Sequence, residues 1–514
     1  MPEIPNKLIR IAVMVTGFAV IPVGYYLIIL NNTEVIMKKF LNDSFQLQFG
    51  FSLDGKTMEI VWIFTILCFF VGGFIGSFLA LPLQERLGPR KSIVLFSPIL
   101  LFLTSILFAV SKFTNTWELL VIGRLLTGIY SGLVIVLLPL FIAESSLPQM
   151  RGSLCCIIYT MLTIGLALSA FLGMDGWLGT EDFWSILFSV PSICGLAQIV
   201  VCFWLKETPK RLHTKRLFSS AALESVNFYF GKKEDAYEIL QEFSDEYRDM
   251  KNLNFPVVLS DMVYRKNLLM GCLINFIQVF CGILAVFSYS ELVVSVFGFP
   301  SYVTQYFLVL TTWVVVFLSL PPIYLVEYFG RRSLLLNSVF SLCVITLALA
   351  VAGTLMDNKI GGMEIEIWFA GFIIIFLVAY SFGPGTLAFF ITGELAPSVC
   401  RAPYLAIGNA TNWFSKFLFI LVLYSVDSYI GAMSFFIFFV ATLICSIILY
   451  YHLPETKPHS SNNEVNYGSY KILDYSDESE SSFTEYSESF EILKKPAGEH
   501  LNKKKKSYGT LNLL

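Results

Sequence analysis

The stretch from Gly72-Gly73-Phe74-Ile75-Gly76 through to Glu85-Arg86-Leu87-Gly88-Pro89-Arg90-Lys91 joins one long apolar run to the next. About half a chain later, Glu327-Tyr328-Phe329-Gly330-Arg331-Arg332 repeats its end. Other charged residues keep a similar interval: Arg90 to Arg332 is an offset of 242, Glu144 to Glu394 is 250, and Glu207 to Glu455 is 248. An internal repeat of this period in so apolar a chain implies two homologous halves facing each other across a bilayer.

Composition agrees. Of 514 residues 56% are apolar and 14% charged, against roughly 25% charged in a soluble domain. A spanning helix needs about 20 mainly apolar residues. Such stretches lie near 8–30, 58–83, 92–111, 117–143, 153–174, 183–205, 267–292, 302–326, 333–355, 366–393, 402–426 and 430–453. The expected fold is an all-α membrane protein with twelve transmembrane helices in two pseudo-symmetric six-helix halves, 1–205 and 267–453. Residues 206–266, charged but with apolar positions at helical spacing, are expected to form a cytoplasmic helical linker. Residues 454–514, rich in Ser and acidic residues and ending in a Lys503–Lys506 run, are expected to be a disordered cytoplasmic tail.

Basic residues set the orientation. Arg86, Arg90, Lys91, Arg151, Arg331, Arg332 and Arg401 fall in alternate short connections, which places both termini in the cytoplasm. The first outer loop, expected at 31–57, holds two glycosylation sequons, at Asn31 and Asn42; a third match, Asn409-Ala410-Thr411, falls inside a span and is expected to be silent. Nine of the ten cysteines lie in spans and the tenth, Cys400, on the cytoplasmic side, so no disulfide framework is implied. Lys7 and Arg10 before an apolar run resemble a signal peptide, but the run is long enough to span and is read as a retained first helix.

An ordered set of motifs then appears: Gly123-Arg124 with Gly128 and Gly132; Pro139, Glu144 and Arg151-Gly152; Glu207-Thr208-Pro209-Lys210-Arg211; Gln278 with Cys281-Gly282; Gly383-Pro384-Gly385; Glu394 and Arg401; Asn412-Trp413; and Pro454-Glu455-Thr456-Lys457. With the repeated charged segment, over roughly residues 8–457, the chain resembles the sugar porter family of the major facilitator superfamily. That resemblance implies the major facilitator fold and a sugar, most simply a hexose, as substrate. It also implies a cytoplasmic gate built from Glu85, Arg86, Arg90, Glu144, Arg151, Glu327, Arg331, Arg332, Glu394 and Arg401. Acid and arginine groups at the inner ends of helices can form charge-assisted networks when that side is closed.

The substrate site is expected near the midplane, where polar side chains replace a sugar's hydration. Asn275 and Gln278 share a face of the seventh span, and Asn412 and Lys416 share a face of the eleventh. Tyr159 stands where the family usually has Gln, and Phe389 where glucose facilitators tend to have Trp, flanked by Thr386 and Ala388 in place of prolines. Val279, Leu284 and a residue at or near Val315 replace further amides, so hexose specificity does not transfer with the fold. Lys416 either couples transport to an anion, pairs with an acid such as Glu291, or snorkels to the outer surface.

Proton-coupled sugar porters resemble this chain at Gly24-Tyr25 but continue with Asp. Here Tyr26 follows, and no acid occurs from Ile4 to Asn32. A proton carrier needs a titratable group in the membrane, so facilitated diffusion is expected. Nucleotide-binding loops, metal clusters and nucleophile elbows are absent, which argues against a pump or an enzyme and implies no cofactor, and no nucleic-acid partner is expected. A transport-inactive nutrient sensor, or a carrier of a non-sugar solute, is the competing reading. The plasma membrane is the expected site, with Tyr470-Lys471-Ile472-Leu473 and Tyr508-Gly509-Thr510-Leu511 as segments for sorting adaptors.

Overall fold

Hydrophobic runs of this length must satisfy every backbone polar group internally, which in a bilayer leaves the helix as the economical choice. A computed structural model describes residues 5–215, 219–231, 236–248, 255–287, 301–358, 362–430 and 433–456. Among these residues all regular structure is helical. Twelve helices are long and apolar enough to cross a membrane: α1 (Asn6–Phe49), α2 (Gly55–Arg86), α3 (Pro89–Thr114), α4 (Trp117–Ser145), α5 (Pro148–Leu172), α6 (Trp184–Trp204), α7 (Met262–Phe287), α8 (Gln305–Phe329), α9 (Arg331–Asp357), α10 (Met363–Glu394), α11 (Ser398–Leu423) and α12 (Ser434–His452). The tail with its tyrosine segments, and Glu291, lie outside the described residues.

The segment expected as the first outer loop is a correction. Helix α1 runs for 44 residues, about 66 Å at 1.5 Å per residue and roughly twice the hydrocarbon thickness. Its second half is amphipathic. Met37, Phe40, Leu41 and Ser44 recur at helical spacing and are buried, while the Phe45 ring stacks on Trp117 at 4.9 Å. Gly50, at φ +75°, ends the helix with its N–H on Gln46 O. Asp54 then caps α2 through the Thr57 N–H at 3.3 Å, and its hydrogen bonds to Thr57 hold the carboxyl below its ordinary range. Asn31 is exposed on this extension; Asn42 is half-buried, its Oδ1 accepting from Leu53 N–H at 2.9 Å.

With no hydrophobic gain between helices in lipid, close packing has to hold them. Small residues supply it here. A Cβ on Gly72 or Gly76 would lie 2.1 or 2.2 Å from the α4 carbonyls of Leu125 or Ile129, and one on Gly128 would lie 2.1 Å from Phe69 O. Helices α1 and α5 touch in the same way, through Gly24 against Leu162 O and Gly165 against Ile21 O. Gly128→Val is expected to force α2 off α4, a cost at or above the upper end of the roughly 1–3 kcal/mol typical of overpacking. The check is thermal unfolding in detergent, where an unchanged midpoint would show that the pair can separate freely.

Three spans of the second half are discontinuous. Helix α7 breaks at Cys281-Gly282, where Gly282 has φ +100°; α8 breaks between Leu318 and Pro322; and α10 breaks at Gly383. Broken backbone at membrane depth is tolerated where protein or a cavity takes up its freed groups. Here Gly385 O accepts from Gln278 Nε2 at 3.3 Å, Ser319 O from Thr160 Oγ1 at 3.2 Å, and Ser381 O from Thr386 Oγ1 at 2.6 Å. Between α6 and α7 the short helices Pro209–Lys215, Ser220–Tyr229, Ala236–Arg248 and Phe255–Ser260 dock on the arginine-rich end. Arg211 Nη1 reaches Gln84 O at 2.9 Å, and His213, whose ring bonds Ser244 Oγ at 2.6 Å, has its pKa lowered by burial.

Candidate functional site

The breaks in α7 and α10 bring a polar cluster to a cleft between the halves. This narrow cleft is lined by the side chains of Asn275, Gln278, Thr392, Asn409 and Asn412, with Ile135, Ala388, Phe389 and Leu405 as apolar walls. Its free space in this closed state is about 10 Å³, roughly what a single water needs, so the halves must part to admit a solute. Asn412 Nδ2 donates to Gln278 Oε1 at 2.6 Å and to Asn275 O at 3.1 Å. Asn275 Nδ2 donates to Gly271 O and Thr392 Oγ1, both at 2.9 Å. The amide N–H groups of Asn275 and Asn412 are thus committed to protein, and their carboxamide oxygens are left to accept. A solute rich in hydroxyl donors is the chemical complement.

Of the residues singled out in the sequence, Asn275, Gln278, Asn412 and Phe389 meet in this cleft. Tyr159 and Lys416 do not line it. The Tyr159 ring stacks on Phe389 at 6.3 Å and its hydroxyl lies 3.3 Å from Ser381 Oγ, so it backs the wall. Lys416 Nζ sits 4.3 Å from the centre of the Trp413 ring, a cation–π contact of about 0.5–2 kcal/mol. Thr392 and Asn409 were overlooked. Asn409 lies three residues before Asn412 on the same helical face, a spacing that could have found it.

At the arginine-rich end the repeat becomes geometric. Gly88 and Gly330 share an unusual backbone, φ 87° with ψ 159° and φ 85° with ψ 162°, open to glycine alone. Glu144 accepts from Thr208 Oγ1 at 2.6 Å, as Glu394 does from Thr456 Oγ1 at 2.8 Å. Arg90 reaches Cys202 O at 2.9 Å, as Arg332 reaches Tyr450 O at 3.0 Å. The halves differ just after the shared glycine: Pro89 stands where the second half has Arg331.

Arg331 is fully buried, with Nη1 2.9 Å from Glu327 Oε2 and Nε 3.3 Å from Glu394 Oε2. Its backbone N–H and that of Arg332 are capped by Glu455 at 3.0 and 3.2 Å, a role that the sequence reading did not assign. Glu327 Oε1 then accepts from Ser153 N–H of the other half at 3.1 Å. Gly152 makes the approach possible, since a Cβ there would lie 2.4 Å from Arg331 Nη2. Arg151 is buried at the start of α5, and Arg401 donates to Gly393 O at 3.1 Å. Glu85 and Arg86 are exposed and join no ion pair among the described residues; with proline at 89 no guanidinium stands there to meet Glu85.

Arg124, 2% exposed in α4, donates from Nη1 to Tyr26 O at 3.1 Å and lies 4.5 Å from the centre of the Phe69 ring. No carboxylate pairs with it among the described residues. Tyr26, which follows Gly24-Tyr25, donates its hydroxyl to Phe188 O at 3.0 Å.

A family model described as "Sugar (and other) transporter" matches residues 12–464. The chain belongs to that family. It is therefore a multi-pass membrane transporter and not an enzyme. Among its relatives, the solute carrier family 2, facilitated glucose transporter member 5 of Equus caballus is 27% identical over 84% of this chain and 86% of its own length. Member 1 of the same series from Gallus gallus is 28% identical over 84% and 88%. A solved structure of the major facilitator superfamily proton:xylose symporter XylE bound to 6-bromo-6-deoxy-D-glucose superposes with a TM-score of 0.76 at 17% identity, covering 88% of this chain and 97% of that one. At that identity the likeness speaks for the fold, and the major facilitator architecture that the resemblance implies, with the two halves expected from the repeat, is the fold of this transporter.

Proposed function

We propose that the transporter moves a hexose down its gradient by alternating access, with no ion coupled to the movement. The carboxamide-lined cleft between the halves carries this reading: its oxygens accept, and none of its lining residues is ionisable. The relatives named as facilitated glucose transporters support the choice of substrate. Asn275, Gln278 and Asn412 bind the solute, Phe389 packs on its face with Tyr159 behind, and Lys416 tunes the same region through Trp413. The halves 1–205 and 267–453 rock as bodies joined by 206–266, and the Arg331 end is the cytoplasmic gate.

With that end inside, both termini are cytoplasmic, Asn31 and Asn42 face outward as glycan acceptors, and the plasma membrane is the location, with sorting adaptors on the tail. In proteoliposomes, D-glucose or D-fructose counterflow is expected to proceed equally with and without an imposed proton gradient. Uptake that depends strictly on the gradient would overturn uniport. Absence of any hexose flux would overturn the substrate assignment and leave a nutrient sensor or a carrier of another solute.

A further inference from the structure

Asn409 sits on α11 about 4.5 Å nearer the arginine-rich end than Asn412, by helical rise, and so forms the floor of the cleft. It is 8% exposed. Its Nδ2 leaves its own half altogether, donating to Ser77 Oγ of α2 at 2.9 Å and to Gly132 O of α4 at 3.0 Å. The acceptor is prepared for it, because Ser77 Oγ spends its own proton on Gly73 O at 2.7 Å. One turn further along α11, Trp413 enters the same groove, its ring against Gly73, where a Cβ would come within 2.2 Å. The amide oxygen of Asn409 takes no hydrogen bond among the described residues, and the side chain lines the cavity.

We propose that Asn409 is a positioning residue for translocation: its Nδ2 latches the cleft floor shut against α2 and α4, while its Oδ1 accepts a hydroxyl of the bound solute. One amide then touches both the cargo and the opposite half. A hydroxyl donated to Oδ1 polarises the amide and strengthens the two bonds that Nδ2 makes, so occupancy and floor closure support each other. Opening toward the arginine-rich end requires both Nδ2 bonds to break. The contact with solute rests on reading the cleft as a sugar site; the latch does not.

The two parts separate by experiment. A cysteine at Ala388, in the cleft wall, reports access from the arginine-rich side to a membrane-impermeant maleimide in inside-out vesicles, with no sugar present. Combined with Asn409→Ala it is expected to label at least about fivefold faster than with Asn409 intact, and with Ser77→Ala to show a smaller rise in the same direction. Equal rates in all three would overturn the latch.

Uptake of D-glucose, D-fructose and their monodeoxy analogues supplies the second measurement. Asn409→Ala is expected to raise KM about fivefold or more and to erase the penalty for one deoxy position. Ser77→Ala, which keeps Oδ1, is expected to retain that penalty. An Asn409→Ala carrier with wild-type KM and the same analogue ranking would overturn the contact. If the wild-type chain moves no hexose, the functional reading fails and the contact with it, and the labelling rates still decide the latch.

Discussion

Replacing Arg331 with alanine is expected to produce the largest single shift in the transporter's conformational balance. The guanidinium is fully buried and holds Glu327 and Glu394, both mostly buried themselves. Removing it leaves two carboxylates facing each other, and breaking a buried pair in this way costs about 3–5 kcal/mol. Glu327 escapes by turning toward water, which surrenders the Ser153 N–H and frees Gly152. The arginine-rich end should therefore open. Since every 1.4 kcal/mol is about tenfold in an equilibrium, a cleft cysteine should become reactive from that end by more than an order of magnitude. Unchanged labelling would leave Arg331 as a marker of topology. Arg332→Ala is the contrast: its guanidinium rests on the Tyr450 carbonyl near the surface, and its loss should move labelling far less.

Gln278→Ala is expected to cause the largest loss of substrate affinity. Its amide ties Asn412 of α11 to the broken turn of α10 at Gly385, so its loss removes the partner proposed for the solute and leaves Asn412 Nδ2 short of one acceptor. A site that hydrogen-bonds hydroxyls rejects a poor match by leaving polar groups unpaired. The expected cost is about 1–3 kcal/mol, read as a rise in KM for the transported hexose of roughly 5- to 150-fold. A role confined to helix packing would instead lower the unfolding midpoint and leave KM alone. Equal kinetics at matched surface amounts would place the solute elsewhere in the cleft.

Hydropathy made the twelve spans readable because each is a continuous apolar run, and the repeated charges made the two halves readable because each copy ends a helix. The outer half of α1 was not readable that way. Val35, Met37, Phe40 and Leu41 are interleaved with Glu34, Lys38, Lys39 and Asn42, so a window average reports a loop where a periodic test reports a helix. In the cleft, Gln278 and Asn412 stood out as polar residues at mid-span, but the breaks that aim them depend on Gly282 and Gly383 adopting backbones that only tertiary packing selects. Asn409 was hidden by a competing pattern, since Asn409-Ala410-Thr411 reads as a modification sequon. Lys416 shares a face with Asn412 in one dimension, and Tyr159 stands at a position where the resemblance implies an amide, yet their partners, the Trp413 ring and Phe389, decide where they point.

The proline at position 89 has a further consequence. Glu327, Arg331 and Glu394 all belong to the second half, and what they meet across the divide at Ser153 is a backbone N–H. When that end parts, these three charges travel together with their pairing intact, and neither carboxylate nor guanidinium has to be rehydrated from a bare state. Had Arg331 drawn its counter-charges from the opposite half, every cycle would have climbed the desolvation barrier of a buried ion pair. With Glu327, Arg331 and Glu394 neutralised on one side of the seam, their contact with Ser153 can be broken by thermal motion, which suits a carrier that has only its solute's own gradient to drive it.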